Sequence, residues 1–207
     1  GVAATLNNLG LVALRQGHYA VAEQRLTESL AMFREQGVEW AVGVTYANLG
    51  DVAFDTGDTR LAAQRFSASL AIARRLEDQD GVAYALTGLA NAARGTGDVR
   101  MAHAWLSESL QVLRTLQDRH GVAEWLESAA ALAHADARPL AAARLLGAAT
   151  ALRAAIGAPR APKDRPAHDA LASTLGADLG DEAFRAAMAA GQALGWRRAC
   201  DEAWSGG

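Results

Sequence analysis

The sequence repeats itself every 40 residues. Written in rows of 40, it aligns without gaps through four rows, with small and apolar side chains in the same columns. The clearest columns are Ala13, Ala53, Ala93 and Ala133; Ala22, Ala62, Ala102 and Ala142; and Leu26, Phe66, Leu106 and Leu146. Such units must stack on one another, because a single unit cannot bury both of its faces.

Each repeat is predicted to form two helices joined by a turn. In the first half of repeat one, Leu6, Leu9 and Ala13 are three and four residues apart, which is the spacing of one helical face. A glycine separates the two halves and suits the left-handed residue that ends a helix. These glycines are Gly17, Gly57 and Gly97, and Asp58 and Asp98 follow two of them. An aspartate there predicts a side-chain cap for the second helix.

Composition supports helices and excludes several classes of protein. Alanine, the strongest helix former, supplies about a quarter of the 207 residues. The formal net charge of −3 gives no basic surface for nucleic acid, and no apolar run reaches the length of a membrane span. Cys200 is the single cysteine, which excludes an intrachain disulfide framework and a multi-cysteine zinc site. We therefore expect a cytoplasmic protein with no nucleic-acid or membrane partner.

The helix pair resembles the tetratricopeptide repeat. The resemblance rests on Leu-Gly in the first helix, at Leu9-Gly10 and Leu49-Gly50, and on the alanine column followed four residues later by a bulky side chain. The usual period is about 34 residues, so a period of 40 implies a long variant. HEAT and armadillo repeats also have about this period, but the Gly-Asp turn favours the tetratricopeptide interpretation. The resemblance implies an all-α, right-handed superhelical solenoid of antiparallel helix pairs, with repeats at 1–40, 41–80, 81–120 and 121–158.

The last fifth of the chain departs from the repeat. Three of the four prolines lie within residues 159–166, which predicts a proline-rich linker. Residues 167–207 then lose the 40-residue register, and we expect them to form a helical cap on the last repeat. In that cap, residues 181–194 are predicted to be a helix, and Trp196, Cys200 and Trp204 a third short helical stripe.

A second resemblance bears on the biological context. Residues 143–149, 152–153, 156–159, 179–184 and 190–194 are similar to the C-terminal region of large bacterial regulators with a signal-transduction ATPase, often of the LuxR type. The resemblance implies a fragment of a transcriptional regulator whose nucleotide-binding module lies elsewhere, and the start of the chain at the first repeat column agrees with a fragment. Residues 195–198 depart from that family. The alternatives are a free-standing peptide receptor of the quorum-sensing type and an accessory scaffold of an enzyme.

No residue pattern predicts catalysis, a cofactor or a metal. The only glycine-rich turn, residues 94–98, lacks the lysine of a phosphate-binding loop. No two histidines have the four-residue spacing of a helical zinc site. The carboxylate pairs of the first helices could serve acid–base chemistry, but on a repeat array they are more typical of a solvated or partner-binding face. We therefore predict a protein that is not an enzyme.

The tetratricopeptide resemblance also implies where a partner would bind. In that family the first helix of each pair lines the concave groove. The candidate groove residues are Asn7, Asp51, Asp55, Asn91, Arg94, Glu124, Glu127 and His134. Asparagine amides can donate to and accept from a peptide backbone. The acidic excess favours a protein or peptide partner that carries basic or amide groups. A second candidate partner is another domain of the same regulator.

Overall fold

The chain is all-α, as predicted. The computed structural model describes residues 1–203, which form eleven α-helices, one short 3-10 helix and no strand. The helices are α1 Val2–Arg15, α2 Tyr19–Glu35, α3 Glu39–Asp55, α4 Thr59–Arg75, α5 Gln79–Gly95, α6 Val99–Leu116, α7 Arg119–Ala135, α8 Pro139–Ile156, α9 Arg165–Leu179, α10 Asp181–Leu194 and α11 Trp196–Glu202. Trp204, predicted to share a stripe with Cys200, lies outside the described residues.

The turns inside the repeats follow the sequence prediction. Gly17, Gly57 and Gly97 have φ angles of +80°, +88° and +82°, in the left-handed region that glycine adopts without steric cost. Ala137 occupies the same column in repeat four with a φ of +55°. A residue with a Cβ atom is strained in this region by about 1–2 kcal/mol, so the fourth turn is less favourable than the other three.

Aspartate side chains cap several helices. Asp58 Oδ1 accepts a hydrogen bond from the backbone N–H of Leu61 at 2.9 Å, and Asp98 Oδ1 accepts one from Met101 at 3.0 Å. Both caps were predicted from the column after the turn glycine. Asp78 also caps α5. Each such cap satisfies a backbone donor that the helix leaves open, which is worth about 1 kcal/mol.

The helices pack into two compact units. Unit 1 contains residues 1–112 together with 161–163, and unit 2 contains residues 113–160 together with residues from Asp164 onward. In unit 1, α1 packs on α2 and α3 on α4 within their repeats, while α2 also packs on α3 and α4 on α5 between repeats. Unit 1 is therefore a stack of helix pairs, with the core between successive helices.

Close helix packing explains the Leu-Gly signature. An added Cβ atom at Gly10 would lie 2.7 Å from Cγ of Leu26, and one at Gly50 would lie 2.8 Å from the ring of Phe66. The glycine thus receives the bulky side chain of the second helix in its own repeat. A buried hydrogen bond also joins these two helices in repeat one, since Ser29 Oγ on α2 donates to the carbonyl of Ala3 on α1 at 2.8 Å.

Unit 2 is centred on α8, which packs against α7 and α10. Within residues 1–203, α8 is the one helix long and apolar enough to cross a membrane by length and composition. Half of the α8 window is buried inside the fold, as in the core helix of a globular unit. Pro139 begins this helix at a position where its missing N–H is not needed.

The predicted linker is a short ordered connection. Residues Pro162–Asp164 form the 3-10 helix and α9 begins at Arg165. Residues 161–163 pack with unit 1, whereas the residues on either side belong to unit 2. The division into an array at 1–158, a linker at 159–166 and a cap at 167–207 stays a prediction.

Candidate functional site

Two of the candidate groove residues, Asp51 and Asp55, lie on α3 in unit 1. Asp51 and Asp55 are one helical turn apart, and both are half-buried. Asp51 accepts a hydrogen bond from the hydroxyl of Tyr84 on α5. Asp55 Oδ2 lies 3.0 Å from Nζ of Lys163, and the two side chains are only 17% and 15% exposed. The ion pair between Asp55 and Lys163 thus joins α3 to the 161–163 segment of the same unit.

Asn91 and Arg94 lie on the last turns of α5. They are three residues apart, on one face of the helix, and both are half-buried. Burial lowers the pKa of Arg94. Its Nε atom is buried and has no hydrogen-bond partner among the described residues. We define the α3–α5 face as Asp51, Asp55, Tyr84, Asn91 and Arg94.

Asn7 belongs to a polar network between repeats. Its side-chain oxygen accepts from Thr45 Oγ1 at 3.2 Å and from Asn48 Nδ2 at 3.3 Å. These bonds join α1 to α3 across the boundary of the first two repeats. The network gives Asn7 a role in repeat packing that its column alone did not suggest.

Glu127, a candidate groove residue in unit 2, is held by two arginines. Arg153 donates from Nε at 2.8 Å and from Nη2 at 2.7 Å, and Arg160 Nε lies 2.6 Å from Oε1 of the same carboxylate. Burial alone would lower the pKa of Arg153, but its hydrogen bonds to Glu127 and the charge of that carboxylate raise it above the ordinary value. This carboxylate is a structural partner of α8.

The two other candidates in unit 2 pair with nearby histidine or aspartate. Glu124 lies 3.3 Å from Nε2 of His120, and its hydrogen bond raises the pKa of that imidazole. His134 Nε2 lies 3.1 Å from Asp178 on α9. Sequence reasoning missed Asp178, because no spacing rule connects α7 with α9.

A cleft of about 520 Å³ lies in unit 2 beside the arginine pair. Its charged lining residues are Arg153, Arg160, Arg165, His168 and Asp169. Burial lowers the pKa of His168, and the charge of Arg160 lowers it further. Two of the three cleft arginines bind the single carboxylate of Glu127, which compensates one of their two positive charges.

Two observations on residues 1–203 concern metal binding and thiol chemistry. Over residues 1–203, no three His, Cys, Asp or Glu side chains come close enough together to hold a metal ion. Cys200 is buried, and burial raises the pKa of its thiol to about 12, so the thiolate nucleophile is not available near neutral pH.

The paired helices, the Leu-Gly contact and the turn geometry define a helical repeat scaffold. Residues 2–36 and residues 41–115 each match a family model described as tetratricopeptide repeat. These two segments are therefore tetratricopeptide repeats, and such repeats generally bind protein partners. The matches end at residue 115, so α7 and α8 share the pattern only through their column spacing.

A search of the curated proteins finds no match to the chain. The similarity to LuxR-type regulators thus gains no support from the comparisons, and it still rests on the sequence segments between residues 143 and 194 alone.

Proposed function

We propose that the α3–α5 face is the partner-binding surface of a non-catalytic interaction module. The occupant is a protein segment that presents a lysine or arginine to Asp55. The observation that carries this proposal is the ion pair of Asp55 with Lys163, the only lysine of the chain. It supports the proposal because the carboxylate accepts a cation from a short proline-containing segment that lies outside the helix pairs.

Residues 161–163 act in this proposal as an intramolecular ligand of the face. A partner segment competes with Lys163 for Asp55 and uses the amide of Asn91 for further hydrogen bonds. Each exposed ion pair contributes at most about 1 kcal/mol, so several contacts are needed for tight binding. Binding weakens as salt rises, because mobile ions screen charges that are near the surface.

The wider context is also part of the proposal. We place the module in a cytoplasmic bacterial transcriptional regulator that senses a signal, with the motifs on α8 and α10 as support. A free-standing peptide receptor and an enzyme's accessory scaffold are the competing contexts. The full-length reading frame tests this, since a nucleotide-binding module encoded upstream favours the regulator and a short frame favours the receptor.

A peptide array with one fixed lysine and randomised flanking positions tests the binding face. The variant Lys163→Met frees Asp55 from its intramolecular partner, so we expect it to bind lysine peptides more tightly than the unmodified chain. Asp55→Asn removes the acceptor charge and is expected to lose about fivefold in affinity for the same peptides, as measured by fluorescence anisotropy.

Asp80→Asn is the matched control, because it removes one exposed aspartate charge at the opposite end of α5. It is expected to leave the affinity unchanged. Equal affinity of the Asp55→Asn, Asp80→Asn and unmodified chains would show that the α3–α5 face is not the binding surface.

A further inference from the structure

One face of α1 is exposed although the same face of every later first helix is buried. Val2, Leu9 and Val12 are 65%, 53% and 52% exposed. Their counterparts 40 residues later are 9%, 2% and 1% exposed; these are Val42, Leu49 and Val52. The contrast arises from position, because the residue types are the same in both repeats.

The polar residues of this face repeat as well. Thr5 and Asn8 on α1 are exposed, whereas Thr45 and Asn48 on α3 are buried. All five columns therefore carry identical residues on α1 and α3. We call Val2, Thr5, Asn8, Leu9 and Val12 the α1 stacking face. Four of them, at positions 2, 5, 9 and 12, follow the three- and four-residue spacing of a single helical stripe.

The structure shows what covers the identical face on α3. Leu26, Leu30 and Phe33 of α2 join Val42, Leu49 and Val52 in one buried cluster. The next repeat uses the same arrangement, since Phe66 and Leu70 of α4 join Val82 and Leu89 of α5 in a second cluster. In both cases the occupant is the second helix of the preceding helix pair.

The polar residues of the α1 stacking face also indicate that a preceding helix pair covers it. On α3, Thr45 and Asn48 donate to the side-chain oxygen of Asn7, which belongs to the first helix of the preceding repeat. Thr5 and Asn8 have the same side chains and the same spacing on α1. A preceding first helix that carries an asparagine in the column of Asn7 would satisfy both of them.

We propose that the α1 stacking face binds one more helix pair of the same repeat type, joined to it in the same polypeptide. Its second helix carries leucine and phenylalanine in the columns of Leu26, Leu30 and Phe33. A second copy of this chain is a poorer occupant. The corresponding outer face of its last repeat, on α8, is already packed against α10.

Duplication of the first repeat tests this proposal on the full chain. A copy of residues 1–40 is fused directly before Gly1, so that the copied α2 meets α1 through the residues that already join α2 to α3. We expect one cooperative unfolding transition, a melting temperature several degrees above that of the unfused chain, and slower amide hydrogen exchange in α1.

The double variant Leu9→Glu with Val12→Glu separates docking from mere addition of helix. In the unfused chain both side chains are exposed, so the melting temperature is expected to stay within about a degree of the original. In the fused chain, the same two substitutions are made only in the original repeat and not in the added copy. They are expected to abolish both the increase in melting temperature and the exchange protection of α1.

Two results would overturn the proposal. The first is a fused chain that unfolds no higher than the unfused chain, or that does not fold while the unfused chain does. The second is self-association of the unfused chain in sedimentation velocity that Leu9→Glu with Val12→Glu abolishes, which would make a second copy the occupant.

Discussion

In unit 2, Arg153 of α8 donates two hydrogen bonds, of 2.8 and 2.7 Å, to the carboxylate of Glu127 on α7. The Arg153 side chain is buried, and Arg160 also contacts Oε1 of this carboxylate. Glu127 was a candidate for partner binding by its column. In the structure its charge holds α7, α8 and the segment after α8 together, and its role in partner binding stays a prediction.

Arg153→Met should therefore destabilise the chain by about 3 kcal/mol, because a half-buried carboxylate then keeps only one of its cations. Arg74→Met is the control, since it removes an arginine from the exposed pair with Glu108 and should cost at most about 1 kcal/mol. Urea unfolding measures both free energies. Equal losses for the two single arginine variants would contradict the structural role.

The turn at Ala137 offers a stabilising substitution. Its φ of +55° lies in the column where the first three repeats have glycine. Ala137→Gly removes the steric strain and should raise the free energy of unfolding by about 0.5–1 kcal/mol, even though glycine makes the unfolded chain more flexible.

Ala104→Gly is the control for that substitution. Ala104 is exposed in the interior of α6, where glycine should cost about 1 kcal/mol. The melting temperatures of the two variants should shift in opposite directions, by about 2–4 °C for each kcal/mol. Two decreases of similar size would mean that the strain at Ala137 is too small to matter.

The repeat architecture could be predicted from the sequence because its determinants are local. A turn glycine, a capping aspartate such as Asp58 and an alanine column act within one helix pair, and each recurs every 40 residues. Agreement among several such signals at each repeat makes the helix-pair interpretation secure.

The partners of the polar residues could not be predicted in this way. Asp51 meets Tyr84, which is 33 residues away, and Asp55 meets Lys163 in the segment after α8. Such pairs depend on how two helices or a helix and a loop approach each other in space. The candidate residues themselves could be chosen by column, but the column rule says nothing about which of them are already engaged within the chain.

His168 should make the stability of the chain fall in acid. Burial lowers its pKa, so the folded state favours the neutral imidazole. This contribution is fully present above the unfolded pKa of about 6.5 and is lost as pH falls through the lower folded pKa. His168→Gln should therefore reduce the loss of stability between pH 7.5 and pH 5, as measured by urea unfolding at each pH.

His120 provides a control of opposite sign. Its hydrogen bond to Glu124 raises the pKa, so its contribution is fully present below about 6.5 and is lost as pH rises through the folded pKa. His120→Gln should lower stability at pH 5.5 and leave it unchanged at pH 8.5. The side chain is half exposed, so the effect should stay below about 1 kcal/mol. Parallel pH profiles for the two variants would contradict both assignments.

The packing of α10 on α8 depends on two glycines that allow the helix backbones to touch. An added Cβ atom at Gly191 would lie 1.9 Å from the carbonyl oxygen of Arg144, and one at Gly147 would lie 2.2 Å from the carbonyl oxygen of Met188. Neither neighbour is the flexible end of a side chain, so the backbones themselves must move apart. We accordingly expect α9–α11 to be held on α8 as a cap for the last helix pair.

Gly191→Ala should therefore destabilise the chain by more than about 2 kcal/mol, within the range for overpacking a close contact. Gly176→Ala on α9 is the matched control. Its added methyl would meet only one atom of Phe184, at 3.9 Å, so the better helix propensity of alanine should stabilise the chain by about 0.5–1 kcal/mol. Loosening of the cap by Gly191→Ala should also expose apolar surface on α8, detected as increased binding of a fluorescent hydrophobic dye and faster hydrogen exchange in α10. If Gly191→Ala and Gly176→Ala have the same effect on unfolding and on dye binding, α10 does not rely on this close contact and the cap assignment fails.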